Sequence, residues 1–381
     1  MKRKWKILIY VLAAILLLAA IVVVFNQEIL GQILKGQMRR QNIPGIGMAL
    51  VDDNTIRWTK SFGVVQTGGH ELVTKDTLFQ AASVTKMAVA VLALHFADMG
   101  KIDLDRNIND YLQSWQLPDN GFTAERKVTL RLLLSHRSGL PEGDITRAAG
   151  VAPTLVQVLN GEAPARNKPA RVEFIPGSRW QYSNIAYVLV QLLIEDLSGQ
   201  PIARVMQDLL FAPLGMANST LAYPLAAAMK DRSEALPHDG EGKSQHPQLH
   251  PTAVAQGGLI TTPSDLAKLM IELMRAYQGQ SDRILSRKTA KQMFHPEMAL
   301  DPQWFGGIHA YQGLGVFIVK GKKFYILSVG NNAPGASCWL AGIPELGKGA
   351  VVMTNGQRGF DLSPKIIGAL LITHLWPMPD L

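Results

Sequence analysis

The chain opens on an apolar run. Residues 7–25 carry no charge, which is about the length a helix needs to cross the hydrocarbon core of a bilayer. Lys2, Arg3, Lys4 and Lys6 precede it and no cation follows before Lys35, an asymmetry that predicts a cytoplasmic N-terminus and a chain continuing outside. The run ends on Val22, Val23, Val24 and Phe25 with no small-x-small pair for cleavage, so an uncleaved anchor over residues 1–26 is expected rather than a signal peptide. The expected location is the inner membrane, single pass, with the body on the periplasmic or extracellular side.

Ile29, Leu30, Ile33 and Leu34 then recur at helical spacing until Asn42, Pro44 and Gly45, which predicts a linker helix within residues 27–43. From residue 44 to residue 376 the pattern is that of one folded body. Ile46 to Val51 and Ile56 to Phe62 flank Asp52, Asp53 and Asn54 and read as a β-hairpin. Apolar runs at Met87 to Ala97, Ile185 to Leu197 and Leu266 to Met274 read as helices. Strand signals return at Gly315 to Val319, Phe324 to Val329, Cys338 to Ile343 and Ala350 to Thr354, and a last helix is predicted from Pro364 to Leu375, opened by Ser363.

Strands at both ends with helices between predict an α+β fold, one antiparallel sheet made of the N- and C-terminal strands, with a helical lobe inserted in the middle. A cleft between the two is where a site is expected. Hydrophobic residues at 47% and charged residues at 18% are enough to form a packed core. The net charge of +8 is concentrated partly in the leader and makes no basic stripe, so nucleic acid is not an expected partner. A lone cysteine, Cys338, leaves no internal disulfide and reads as a small buried hydrophobe.

The candidate chemistry sits at Ser83-Val84-Thr85-Lys86, just before the apolar run from Met87. Three residues apart on a helix, the Lys86 amine can reach the Ser83 hydroxyl, and a desolvated amine gives up part of its hold on its proton. The second candidate is Tyr182-Ser183-Asn184, the one Tyr-x-Asn in the chain, where Asn184 also reads as a helix cap. His238, His246 and His250 with Asp239 read as exposed loop residues rather than a metal site, and His136 in Ser135-His136-Arg137-Ser138-Gly139 as a turn residue. No metal or organic cofactor is called for.

Taken in order, these motifs, with LLLSHRSGLP, FIPGSRWQYSN and GGLITTPSDLAKLM, resemble the class C β-lactamase and penicillin-recognising serine hydrolases over roughly Ile46 to Asn355. The resemblance implies acylation of Ser83, general-base and general-acid work shared by Lys86 and Tyr182, and an Asn184 that holds a substrate amide or orients Lys86. It also implies a third motif on a cleft strand, where relatives carry Lys-Thr-Gly or His-x-Gly. Here that strand offers Ser328-Val329-Gly330-Asn331, so Ser328 stands where a cation or imidazole belongs. Gly330 would let substrate approach, and the Asn331 N–H could complete an oxyanion hole. The implied substrate is a small molecule or cell-wall peptide: a β-lactam, a D-amino-acid peptide or a small ester. The altered third motif leaves one alternative, a non-catalytic envelope sensor or scaffold.

Overall fold

The computed structural model describes residues 31–143, 151–222, 225, 229–246, 249–305, 307–332, 335–374 and 376–377. The anchor expected over residues 1–26 lies outside them. Among the described residues no helix is long and apolar enough to cross a membrane.

Helix α1 covers residues 31–40, within the predicted linker helix. It leads into β1 (Gly45–Asp52) and β2 (Thr55–Gly63), joined by Asp53 and Asn54 with φ of 52° and 51°. Two consecutive left-handed residues make the tight turn whose twist suits a hairpin, and Asp and Asn are the side chains that tolerate it.

The short β3 (Phe79–Gln80) precedes the central helix α2 (Thr85–Asp98), and α3 (Gly121–Glu125), α4 (Leu130–Leu134) and α5 (Leu155–Asn160) lead to α6 (Asn184–Ser198). After α7 (Ile202–Met206) and β4 (Ile260–Thr261) come α8 (Pro263–Gln278) and α9 (Arg287–Met293). The chain then returns to strands β5 (Met298–Ala299), β6 (Ala310–Gln312), β7 (Phe317–Val319), β8 (Tyr325–Asn332), β9 (Ala336–Ile343) and β10 (Lys348–Thr354), and ends in α10 (Gly359–Thr373).

One eight-stranded antiparallel sheet runs β2-β1-β10-β9-β8-β7-β6-β5. The N-terminal hairpin closes onto the C-terminal strands as expected, with Ile46 opposite Thr354 and Val51 opposite Gly349. Side chains alternate across this sheet. Ala49, Val51, Ile326, Leu340 and Met353 face the helical lobe, while Met48, Leu50, Tyr325, Ala341 and Val352 pack under α10 and α1.

Residues Met87 to Leu94 of α2 and Ile185 to Ile194 of α6 are buried on every side. A helix apolar all round belongs in the interior rather than at the surface. These two helices are therefore the floor on which the candidate residues stand. Their burial exceeds what one amphipathic face would give.

Three sequence expectations need correction. The last helix starts at Gly359, and Pro364 lies inside it rather than at its first position. At that first position Gly359 packs against the end of β10, where a Cβ would fall 1.7 Å from Thr354 Oγ1. Ser183, not Asn184, caps α6, its Oγ accepting the Ala186 N–H at 3.0 Å. Of the loop histidines only His246 is exposed. His238 is fully buried, with Nε2 accepting the Thr67 N–H and Nδ1 donating to the Asn355 carbonyl, both at 3.0 Å. Two satisfied ring nitrogens make it a structural bridge between loops. His250 is buried as well.

Candidate active site

Ser83 sits in a single 3-10 turn, Ala82–Val84, that runs straight into α2. The turn is held from both sides. Thr85 Oγ1 donates to the Ala82 carbonyl at 2.6 Å and accepts the Leu259 N–H at 3.0 Å, while Ala81 N–H donates to the Leu259 carbonyl at 2.8 Å. Ala82 is forced to φ 49°, a left-handed conformation a non-glycine residue adopts only where its surroundings insist on it. The effect is to hold the half-buried Ser83 between the buried Ala82 and Val84.

Lys86 lies one turn further along the same face. Its Nζ donates to Ser83 Oγ at 3.0 Å and to the backbone carbonyl of Gln256 at 2.5 Å. The side chain is only 4% exposed, and that burial pushes the ammonium below the ordinary lysine range. The aromatic ring of Tyr182 lies 5.0 Å from Nζ and that of Tyr187 5.7 Å. An amine so desolvated can exchange a proton with a hydroxyl beside it.

Tyr182 comes from the extended segment before α6, and its hydroxyl donates to Ser83 Oγ at 2.8 Å. The helix start places it: Ser183 caps α6, and its own Oγ donates to the Pro141 carbonyl at 2.6 Å. His136 completes the mount. Its Nδ1 accepts the Ser183 N–H at 3.1 Å, and its ring lies against the Tyr182 ring at 4.5 Å between centroids and 32° between planes. Burial, with the charge of Lys86 second, pushes the imidazole down to about 3, so it stays neutral.

Asn184 does not reach Lys86 through any hydrogen bond in the structure. Its Nδ2 donates to the Gly143 carbonyl at 3.3 Å, and the acceptor that orients Lys86 is the Gln256 carbonyl. Gln256 is the residue that sequence reasoning missed. A backbone acceptor carries no side-chain signal, and the only hint was its position one residue before the string that begins at Gly257.

Strand β8 brings the third segment. Ser328 and Gly330 share the face toward α2 with Ile326, while Asn331 is exposed. Gly330 is the point of closest approach: a Cβ there would stand 2.5 Å from Ser83 N, 2.7 Å from Ala81 O and 2.9 Å from Val84 N. The glycine thus makes room for the backbone of the serine turn, where the sequence reading expected it to leave room for substrate. Pairing of β7 with β8 ends at Phe317 opposite Leu327, so from Ser328 onward β7 leaves that edge of β8 uncovered.

A groove of about 560 Å³ adjoins Tyr182 and is lined by Glu142, Trp180, Gln181, Leu300 and Trp304 among others. The Trp180 and Trp304 rings meet edge to face at 5.1 Å. Among the described residues no group of three or more His, Cys, Asp or Glu side chains is placed to hold a metal ion.

An α+β fold thus brings a serine, a buried lysine and a tyrosine hydroxyl together on Ser83 Oγ beside an antiparallel sheet, an arrangement whose chemistry suits acyl transfer. The chain belongs to the Beta-lactamase family, whose pattern it matches over residues 30–372. It is 30% identical over 218 residues to a putative D-alanyl-D-alanine carboxypeptidase of Escherichia coli O157:H7, covering 54% of this chain and 50% of that one. The chain thus spans about half the length of the curated relatives it first matches. It is 26% identical to the D-alanyl-D-alanine-carboxypeptidase/endopeptidase AmpH of Escherichia coli K12, over 81% of this chain and 78% of the relative. Among solved structures it is similar in fold to the octameric penicillin-binding protein homologue of Pyrococcus abyssi, with a TM-score of 0.71, 24% identity and coverage of 86% of this chain and 73% of that one.

Proposed function

We propose that this protein is a serine hydrolase of the carboxypeptidase or esterase type, acting through an acyl-Ser83 intermediate on an ester or amide outside the inner membrane. One observation carries the reading: Ser83 Oγ receives both the Lys86 amine at 3.0 Å and the Tyr182 hydroxyl at 2.8 Å. In this reading the Ser83 proton passes to the Tyr182–Lys86 pair as Oγ bonds to the substrate carbonyl carbon, and the carbonyl π pair moves onto oxygen. The Ser83 N–H, which has no acceptor within its own turn, and the Asn331 N–H receive that oxyanion. Tyr182 returns the proton to the leaving oxygen or nitrogen as its bond to carbon breaks. Water then enters by the same route and gives its proton to the pair as its oxygen bonds to the acyl carbon; the pair hands that proton to Ser83 Oγ as the bond from carbon to Oγ breaks, which frees the acid and restores the serine.

Asn184 is assigned to the substrate amide. Ser328 supplies a hydroxyl where relatives supply a cation, which favours an uncharged ester over a substrate bearing a carboxylate. The apolar run over residues 7–25 supports attachment to the membrane, with a cell-wall peptide or a small ester as the substrate met there.

The test is the intact mass of the chain after incubation with a penicillin, and separately with a chromogenic acetate ester, beside Ser83→Ala. An adduct or ester turnover in the wild type that Ser83→Ala lacks is the expected result. No adduct, no drug loss and no ester turnover in the wild type would leave a non-catalytic sensor as the reading to adopt.

A further inference from the structure

On the face of the sheet opposite Ser83, α1, β2 and α10 enclose a groove of about 500 Å³. Leu34, Met48, Trp58, Phe62, Ile366 and Leu370 line it, so its walls are aliphatic and aromatic. Ile33, on its wall, is 56% exposed and Ile372, beside it, 66%, so the apolar surface continues out of the groove onto both helices. The charged residues of its lining are the cations Lys60 and Lys365; no Asp or Glu lines it, and burial pushes the His374 imidazole toward its neutral form. Lys35, on α1 next to Leu34, adds a third cation at this edge; its Nζ lies 6.0 Å from the Phe62 ring.

The position of the groove in the chain matters as much as its lining. Gly31, the first described residue, lies on its wall. Only Asn26 to Leu30 separate it from the end of the apolar run at Phe25, a span that even fully extended reaches no more than roughly 20 Å. If residues 7–25 cross a bilayer, this face of the catalytic body is held within that distance of the headgroups.

We propose that the groove between α1, β2 and α10 takes an acyl chain of an anionic phospholipid, with Lys60 and Lys365 on its headgroup phosphate. The inference rests on the reading of residues 7–25 as a membrane anchor. An apolar slot gains by taking a chain out of water, and lysines beside it gain by meeting a phosphate. Bound in this way, the body lies with α1 and α10 down on the bilayer and the Ser83 cleft directed away from it. That orientation suits a substrate reached from the wall side rather than from within the lipid.

The full chain tests this in vesicles of phosphatidylcholine alone and of phosphatidylcholine mixed with phosphatidylglycerol. A fluorophore is placed on Ile372→Cys beside the groove or on Val151→Cys in the helical lobe; native Cys338 is fully buried and does not compete for label. Spin-labelled lipid is expected to remove about half of the emission at residue 372 in anionic vesicles and little at residue 151. Lys60→Glu with Lys365→Glu is expected to reverse most of that quenching. A chain that floats with the vesicles but shows no quenching at residue 372 overturns the groove inference and leaves the anchor standing. A chain that does not float overturns both. Quenching equal in both vesicle types, or unchanged by charge reversal, overturns the assignment to an anionic lipid. An emission already blue-shifted without vesicles and indifferent to spin label would mean that the protein fills the groove itself, which also overturns it.

Discussion

Gly330 of β8 lies so close to the nucleophile's turn that a single added carbon on it would stand 2.5 Å from the backbone nitrogen of Ser83. The atoms in the way are all backbone, of Ser83, Ala81 and Val84, on a turn already strained at Ala82. Nothing flexible can swing aside. Gly330→Ala is expected to lower stability by about 1–3 kcal/mol and to lose most acylation, because the strand must retreat from the turn. Thermal unfolding and the rate of adduct formation check both parts. Full acylation with unchanged stability would show that strand and turn are looser than this contact requires.

Lys86 is held at a cost. Its amine is buried, and burial lowers its pKa below the value of about 10.4 that an unfolded lysine has. Between the folded and unfolded values the unfolded chain binds the extra proton, so this group's contribution to stability rises with pH across that window and is most unfavourable below it. Lys86→Met is therefore expected to be inactive yet at least as stable as the wild type at neutral pH, with the gain shrinking as pH approaches 10. Urea unfolding of both proteins at pH 7 and pH 10 measures it. A methionine variant that is less stable at pH 7 would show that the Gln256 and Ser83 hydrogen bonds outweigh desolvation.

His136 has the opposite test, on the acid side. Folded it titrates at about 3, unfolded near 6.5, so below pH 6.5 the unfolded chain takes a proton that the folded one refuses. Stability then falls as pH drops from 6.5 toward 3, by an amount of order a few kcal/mol. His136→Asn keeps a short acceptor near the Ser183 N–H but cannot titrate, and its stability is expected to be flatter across that range. Unfolding midpoints at pH 7 and pH 4.5 give the comparison; equal slopes for the two proteins would remove His136 as the cause.

Ser328 is the position to change for specificity. It shares the α2 face of β8 with Gly330, two residues from the contact with Ser83. Ser328→Lys would restore a cation there, and a charge-assisted hydrogen bond to a carboxylate contributes about 1.5–3 kcal/mol. The expected outcome is roughly a tenfold or greater rise in acylation by a penicillin, with little change on a neutral acetate ester. Ratios of kcat/KM for the two substrates decide it. A parallel change on both would place residue 328 outside the carboxylate's reach.

The Ser83 and Lys86 pairing was legible in the sequence because it is local: three residues on one helical face fix a distance before any tertiary contact forms. The hairpin at Asp53 and Asn54, the buried helices after Lys86 and Ser183, and the strands near Tyr325 and Lys348 were legible for the same reason, since period and turn chemistry are written in neighbouring residues. What the sequence could not contain was distance between remote segments. Tyr182 reaches Ser83 across 99 positions, Gln256 reaches Lys86 across 170, and Gly330 meets the serine turn across 247. Only the closing of β1 onto β10, and of the helical lobe onto that sheet, brings those groups within a hydrogen bond. The same closure buried His238 and let α10 begin at Gly359, since both depend on which surfaces meet and not on local preference. The residue types of the site were therefore determined by the sequence, and their geometry, with the burial that lowers Lys86, by the tertiary structure.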